Sequence, residues 1–457
     1  TDMDLSAKTV VLPTLSQTIT ATAFVGDGSS LTGLPAGYTN SDVAAYLAGT
    51  PTGAVNLAGS SAVVLPTGSS DPGGTRTAGE LFYNTTNGVF KYNDGSDWIK
   101  ISAELATLSS ISGTIYNTVA SNITLTGTGF LISSCDIIFT VGGTDYTVTK
   151  TADNDTTISA VAVPAGVYNS AGGTSVSITV TNIDGSTSQA VSTTIIGLPA
   201  GGTITTSGGY RIHTFTSSGT LAVPSGFTAT TDYLVIAGGG GGGGYIDGGG
   251  GAGGYRSSVT GETSGGGGGA ESPLTLSVGS YPVTIGAGGA GLNGFNGAGV
   301  SGGNSIFSNI TSIGGGGGSG VAGGSGGGGG HDGGTLPGAG TAGQGYAGGW
   351  LGVRTVPYYN GGGGGGAGQI GQTATTAVGG AGGAGVQSSI TGTAIYRAGG
   401  GGGGYYASGA NPSSGGIGGG GSGGEPSVSS AGTANTGGGG GTTKAGGSGI
   451  VIIRYAI

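Results

Sequence analysis

As far as Ala237 the chain alternates. Val, Ile, Thr, Tyr and Phe recur at every second position in short stretches, with Gly, Asn, Asp and Ser between them. That is the two-residue period of half-buried strands joined by tight turns. Strands are predicted at residues 122–126, 136–141, 146–150, 175–181 and 189–195, then at 210–216, 221–224 and 233–237. Only residues 41–48, with Asp42 near their start, carry a helical signature. Beyond Ala237 the alternation gives way to unbroken glycine, at 238–244, 248–251, 265–269, 314–318, 326–330, 361–366, 399–404 and 437–441. Short apolar segments punctuate these runs. Residues 274–278 and 281–285 read as a hairpin about Gly279-Ser280, 306–313 and 390–396 as further strands, and 450–455 as a closing strand.

Glycine composition changes the picture most: 89 of the 118 glycines lie from Gly238 onward. Collagen is excluded, because its crowded axis demands Gly at every third position with abundant Pro, and the chain holds 14 Pro with no such period. A flexible linker and an ordered bundle remain. Glycine loses about 0.5–1 kcal/mol more than Ala on ordering, so only a dense backbone hydrogen-bond lattice, at about 1 kcal/mol net per bond, offsets it. Polyproline-II-type glycine helices packed side by side supply such a lattice, since their N–H and C=O groups point outward and no side chain intervenes. The strand-like segments framing the block favour the ordered bundle over a linker. A run of about five residues then spans about 15 Å, so successive connections emerge at opposite ends, strand-like ones toward the stalk and aromatic ones away from it. Residues 369–378 break that alternation and leave the end of individual loops open.

Four units follow from the pattern: 1–50, 51–103, 104–198 and 199–457, the last with a β mount at 203–237 and 450–457. The first two are too small to bury a core alone and call for partners. Ala23-Phe-Val-Gly-Asp-Gly-Ser-Ser-Leu-Thr-Gly-Leu34 and Tyr38-Thr-Asn-Ser-Asp-Val-Ala-Ala-Tyr-Leu47 resemble stalk and hinge motifs of tail fibres of tailed phages, T-even-like and marine ones in particular. Gly74-Thr-Arg-Thr-Ala-Gly-Glu-Leu-Phe-Tyr-Asn84 and Gly88-Val-Phe-Lys-Tyr-Asn-Asp-Gly-Ser-Asp-Trp98 resemble a β-meander module of the same fibres, with the turn at Asn93 to Ser96. The strands of 104–198 have the spacing of an immunoglobulin-like sandwich. Leu125-Thr-Gly-Thr-Gly-Phe130 and Val180-Thr-Asn182 resemble its IPT/TIG type, without the Cys-Trp-Cys core of antibody domains. From Tyr210 through Tyr455 the chain is similar to glycine-rich C-terminal domains and tip adhesins of these phages, whose polyglycine-II helices pack as a layered bundle. The resemblance implies a homotrimer, a virion location in the tail fibre, host attachment through a bacterial surface receptor, and contact with other tail or fibre proteins through the N-terminal end.

Charge and chemistry narrow the function. The chain has 11 Lys and Arg against 20 Asp and Glu, a net charge of −9, and only ten charged side chains from Gly238 onward. Phosphate-tracking nucleic-acid binding is excluded. A single cysteine, Cys135, excludes an internal disulfide framework and reads as a buried strand thiol. No apolar stretch reaches the length of a membrane span, and the first residues lack a leader pattern. The chain begins on Thr1, as a fragment or a processed form does.

No enzyme signature emerges, and neither a cofactor nor a metal is expected. His213 reads as structural, on one strand face with Arg211 and Phe215. The adjacency of His331 and Asp332 does not make a catalytic pair. The many Gly-x-Gly-x-x-Gly matches lack a following helix. Asn93 to Asp97 and Asp153 to Asp155 lack the spaced ligands of a calcium loop and read as turns. Recognition residues are expected in the interruptions between glycine runs. The longest, residues 331–360, holds His331, Tyr346, Trp350, Arg354, Tyr358 and Tyr359, and a smaller one holds Tyr405, Tyr406 and Asn411. Tyr245 to Asp247 and residues 425–436 are further counterparts. Tyr and Trp give large contact areas for few rotatable bonds, and the bland alternative is that they cover the bundle's flanks. The expectation is an all-β stalk, an Ig-like sandwich and a polyglycine-II bundle forming a non-enzymatic tail-fibre adhesin. Its alternatives are a structural virion or extracellular filament protein assembled through the bundle, and a fibre-borne depolymerase, against which the scarcity of paired acids speaks.

Overall fold

A computed structural model describes residues 67–73, 80–85, 89–93, 96–100, 105–132, 134–183, 185–331, 335–352, 359–376, 378–405 and 412–457. The stalk and hinge segments and the helix expected at 41–48 lie outside the described residues. The described part is nearly all β, in several antiparallel sheets. Leu81–Asn84, Val89–Asn93 and Trp98–Lys100 form an antiparallel meander, with Thr67–Gly68 beside the first strand. Its small core rests on Phe82, whose ring lies 5.5 Å from that of Trp98, and the Trp98 indole donates to the Pro72 carbonyl at 3.0 Å.

Residues 105–198 build two sheets around one apolar core. Thr107–Ser112, Asn122–Thr128 and Thr157–Ala162 form one sheet; the other runs in the order Val191–Thr194, Ser175–Thr181, Ser134–Val141, Thr144–Thr151. Alternation sets the inward faces. Ile123 and Leu125 from the first sheet meet Cys135, Ile137, Phe139, Val176, Ile178 and Val180 from the second. Cys135 is fully buried, as expected. All five strands expected here form, with ends displaced by a few residues. One helical turn, Ala165–Tyr168, is an addition that the sequence did not signal, because Pro164 at its N-cap offers no side-chain acceptor.

The glycine-rich half is mounted on a sheet ordered Thr203–Ser207, Tyr210–Phe215, Ile450–Ala456, Ala229–Ile236, Tyr255–Ser257. The C-terminal strand is central, with Ile452 paired to both Thr214 and Leu234. Its unbroken apolar sequence follows from burial on both faces. Val451, Ile453 and Tyr455 enter the core shared with a second sheet, and Ile450 and Ile452 enter another with Tyr255, Ala252 and Ile390. The second sheet comprises Gly219–Val223, Gly279–Thr284, Ser305–Phe307 and Ile310–Ser312.

Three local expectations are corrected here. Segments 274–278 and 281–285 do not pair with each other; Leu274–Leu276 pairs with Ala229–Thr231 and Gly279–Thr284 with Gly219–Val223. Burial of Leu276 and Val283 in one core outweighs the local turn. Residues 306–313 fold as a hairpin of Ser305–Phe307 and Ile310–Ser312. Only the end of 390–396 is extended: Ile395–Arg397 pairs with Val386–Ser388.

Above the mount, the glycine runs bond to one another through their backbones. Gly238, Gly241 and Gly244 donate to Gly303, Val300 and Gly297; Gly239 and Gly242 to Gly447 and Lys444; Gly240 and Gly243 to Gly251 and Gly248. Their carbonyls accept from Gly315 and Gly318, from Gly289 and Leu292, and from Gly440 and Thr443 in the same rotation. The direction of bonding therefore repeats every three residues. Partner numbers descend in the first set and ascend in the second, so residues 238–244 lie among three antiparallel and three parallel neighbours. The spacing leaves no room for a side chain: a Cβ on Gly240 would lie 2.1 Å from the Gly316 carbonyl oxygen, and one on Gly364 2.0 Å from that of Gly250. Peripheral segments do carry side chains, directed outward, as at Val300, Ile370 and Ile417. The run 265–269 is no part of this lattice. Gly266 and Gly267 have φ of +63° and +77° and form a turn beside the Thr263–Gly269 bridge.

Candidate functional site

Hydrogen-bond register distinguishes the two ends of the lattice among the described residues. The bonds Ala237 to Gly254, Tyr255 to Gln344, Ala367 to Ala398 and Ala398 to Thr436 mark the end at the sheets. The bonds Gly243 to Gly248, Gly244 to Gly297, Gly361 to Gly404 and Gly404 to Asp247 mark the far end. Residues 369–378, which broke the alternation in sequence, turn near 367–369 at the sheet end, run outward and turn back near Thr375 at the far end, where Gly380 donates to Gly361.

Asp247 gathers the far end. It is fully buried. One carboxylate oxygen accepts the His331 N–H at 2.9 Å and the other the Gly297 N–H at 2.7 Å. Its carbonyl accepts the Gly404 N–H at 2.8 Å, and its own N–H donates to Gly244 at 3.0 Å. An ionised acceptor strengthens such bonds. Two loops distant in sequence are thus tied to its carboxylate and a third to its backbone carbonyl, at the position following Tyr245-Ile246.

Around it the rings assemble. His331 lies edge-on to Tyr359 with centroids 4.4 Å apart, and Tyr245 edge-on to Phe295 at 6.1 Å. Trp350 is 53% exposed and Phe295 50%. Tyr405 sits deeper, with its backbone bridged to Asn360. Of the residues expected to bind, His331, Trp350, Tyr359 and Tyr405 therefore share the far end. Tyr346 does not: its hydroxyl lies 3.0 Å from where a Cβ on Gly267 would be, at the sheet end. The reason is that residues 331–360 are not one loop. Gly338 donates to Gly327 and Gly348 to Gly338, so two further lattice segments run through this stretch, joined at the sheet end by the turn at Thr341–Gln344. Arg354, Tyr358, Tyr406 and Asn411 lie outside the described residues. Phe295 was missed by sequence reasoning. The signal for it was Leu292-Asn-Gly-Phe-Asn-Gly297, an aromatic between two Asn-Gly turn pairs.

The other histidine is structural. His213 is fully buried, with Nδ1 2.8 Å from the Gly201 carbonyl and Nε2 3.2 Å from the Tyr455 hydroxyl. Burial, ahead of the Arg211 charge, holds its pKa below the ordinary histidine value. Among the described residues, no group of three or more His, Cys, Asp or Glu is placed to hold a metal ion, and no helix is long and apolar enough to cross a membrane. The far end offers aromatic faces, backbone amides and few charges, which suits contact with an apolar or sugar surface.

No curated protein and no solved structure matches the chain. The family of the glycine-rich domain matches residues 214–456, from the strand Tyr210–Phe215 to the end of the central C-terminal strand, and so takes in the whole lattice with the greater part of its mount. With more than half of its length inside that match, the chain belongs to the glycine-rich domain family.

Proposed function

We propose that the chain is the receptor-binding adhesin of a phage tail fibre, and that its far-end loops bind a protein or glycan on the surface of a bacterial host. In this reading residues 1–103 belong to a homotrimeric stalk that joins other tail or fibre proteins, and 104–198 are an Ig-like spacer of IPT/TIG type. The lattice is a polyglycine-II bundle that holds the loops rigidly away from the virion, and the protein performs no catalysis. The observation that carries the reading is the gathering of Tyr245, Phe295, His331, Trp350 and Tyr359 at the end of the lattice opposite the sheets. The threefold rotation of hydrogen bonds supports the bundle, because three residues per turn is the repeat of that helix.

The test is binding of the labelled full chain to a panel of bacterial strains. The Phe295→Ala, Trp350→Ala double variant should bind a recognised strain about tenfold more weakly, as loss of aromatic anchors does, with an unchanged melting temperature. Undiminished binding would remove the loops from recognition. Filaments of the purified chain that bind no strain would favour assembly instead. Point substitutions suit this test because a deletion of the whole stretch would remove two lattice segments together with the loop.

A further inference from the structure

The far-end loop that carries Phe295 holds two Asn-Gly pairs, Asn293-Gly294 and Asn296-Gly297. A third, Asn360-Gly361, opens a lattice run, and Asn87-Gly88 lies outside the described residues. An asparagine followed by glycine is open to attack by its own backbone, because glycine has no Cβ to shield its nitrogen and turns freely toward the side-chain carbon. The rate at each pair then depends on how firmly the glycine N–H is held.

The structure separates the three pairs by that criterion. Gly361 donates to the Gly404 carbonyl at 3.0 Å inside the lattice, and Asn360 is 1% exposed. Asn296 is exposed, but the Gly297 N–H donates to the Asp247 carboxylate at 2.7 Å, an ionised acceptor that opposes loss of the proton. The Gly297 carbonyl is fixed as well, by the Gly244 N–H at 3.1 Å. Asn293 is exposed too, and its Gly294 N–H bonds only to the Leu292 carbonyl two residues back, at 3.0 Å. A neutral acceptor in a three-residue turn restrains it less than the carboxylate restrains Gly297. A Cβ on Gly294 would meet nothing nearer than the Leu292 side chain at 3.7 Å, so the backbone here has room to turn.

We propose that Asn293 is a site of spontaneous deamidation. The Gly294 nitrogen gives its proton to solvent and attacks Asn293 Cγ; the new C–N bond closes a succinimide, the Cγ–Nδ2 bond breaks, and Nδ2 leaves as ammonia with a proton from water. A second water opens the ring at either carbonyl, leaving aspartate or isoaspartate. Either product adds a negative charge two residues before Phe295. The isoaspartyl form also inserts a methylene into the backbone beside Gly294, whose carbonyl accepts the Tyr245 N–H at 3.1 Å. On the adhesin reading, an aged chain therefore binds its strain more weakly; the modification itself does not rest on that reading.

The experiment is incubation of the purified full chain at mildly alkaline pH, followed by digestion with chymotrypsin, which cuts after Phe295 and so puts Asn293 and Asn296 on separate peptides. Each peptide is read for the one-dalton mass gain and for isoaspartate. Asn293 should convert about tenfold faster than Asn296, the factor that one charge-assisted hydrogen bond makes, while Asn360 stays intact. In urea the rates at Asn293 and Asn296 should converge, and Asp247→Asn should raise the rate at Asn296 in the folded chain. Gly294→Ala, at a position with room for a methyl and no positive φ, should suppress conversion at Asn293 without lowering the melting temperature. No conversion at Asn293, equal rates at the two asparagines in the folded chain, or a difference between them that persists in urea would overturn the proposal. Conversion that leaves strain binding intact would uphold the modification and remove this loop from recognition, so the two readings fail separately.

Discussion

Asp247 and His213 are buried ionisable residues that serve the fold in different ways. Asp247 holds two backbone amides from separate loops. In Asp247→Asn the amide nitrogen faces one of those N–H groups and a charge-assisted bond is lost, at a cost of about 1.5–3 kcal/mol. The melting temperature should fall, and hydrogen exchange at Gly297 and His331 should accelerate while exchange within the sheets is unchanged. Burial disfavours the charged form of His213. Its folded pKa lies below the unfolded one, so between the two the unfolded chain binds the extra proton, and stability declines as the pH falls through that window. Melting curves should lose temperature as the pH falls below the ordinary histidine value of 6.5, and His213→Gln should flatten that slope. The strand position of His213 was legible from alternation. The role of Asp247 was not, because its partners lie 50 and 84 positions away in the chain.

At the scale of elements, strands with a single buried face were largely legible, although Thr107–Ser112 and Thr157–Ala162 were not predicted. The five expected in residues 122–195 all form, since a two-residue period reports burial directly. Pairing was less legible. The segments at 274 and 281 looked like a hairpin but joined different sheets, where long-range apolar contacts decided. Glycine runs carry the opposite difficulty: composition shows that they need backbone partners, and only the coordinates distinguish lattice from turn. Gly240→Ala places a methyl 2.1 Å from a carbonyl oxygen and should cost about 3 kcal/mol or more, the upper end of overpacking. Gly269→Ala meets nothing within 4 Å and has no positive φ; it should be neutral or stabilise by about 0.5 kcal/mol through the unfolded chain. Thermal melting of the pair tests the distinction, and equal effects would contradict the lattice geometry.

For the molecule as a whole, the strand Ile450–Ala456 closes the circuit. It lies between strands begun some 240 and 220 positions earlier in the chain, so the glycine-rich half cannot complete its mount until the last residues are in place. Removing residues 450–457 should abolish the cooperative melting of that half. The unit at 105–198 has its own core and should keep a transition of its own, which calorimetry would resolve. The sequence by itself determined the β character of the chain, the burial of Cys135 and the demand of the glycine runs for backbone partners, because side-chain period and the absence of Cβ atoms are local properties. Only the tertiary structure decided which run neighbours which, which loops meet at Asp247, and that Tyr346 lies at the opposite end from Trp350. Glycine backbones are equivalent and carry no side-chain code for pairing, so connection lengths and the central C-terminal strand set the arrangement.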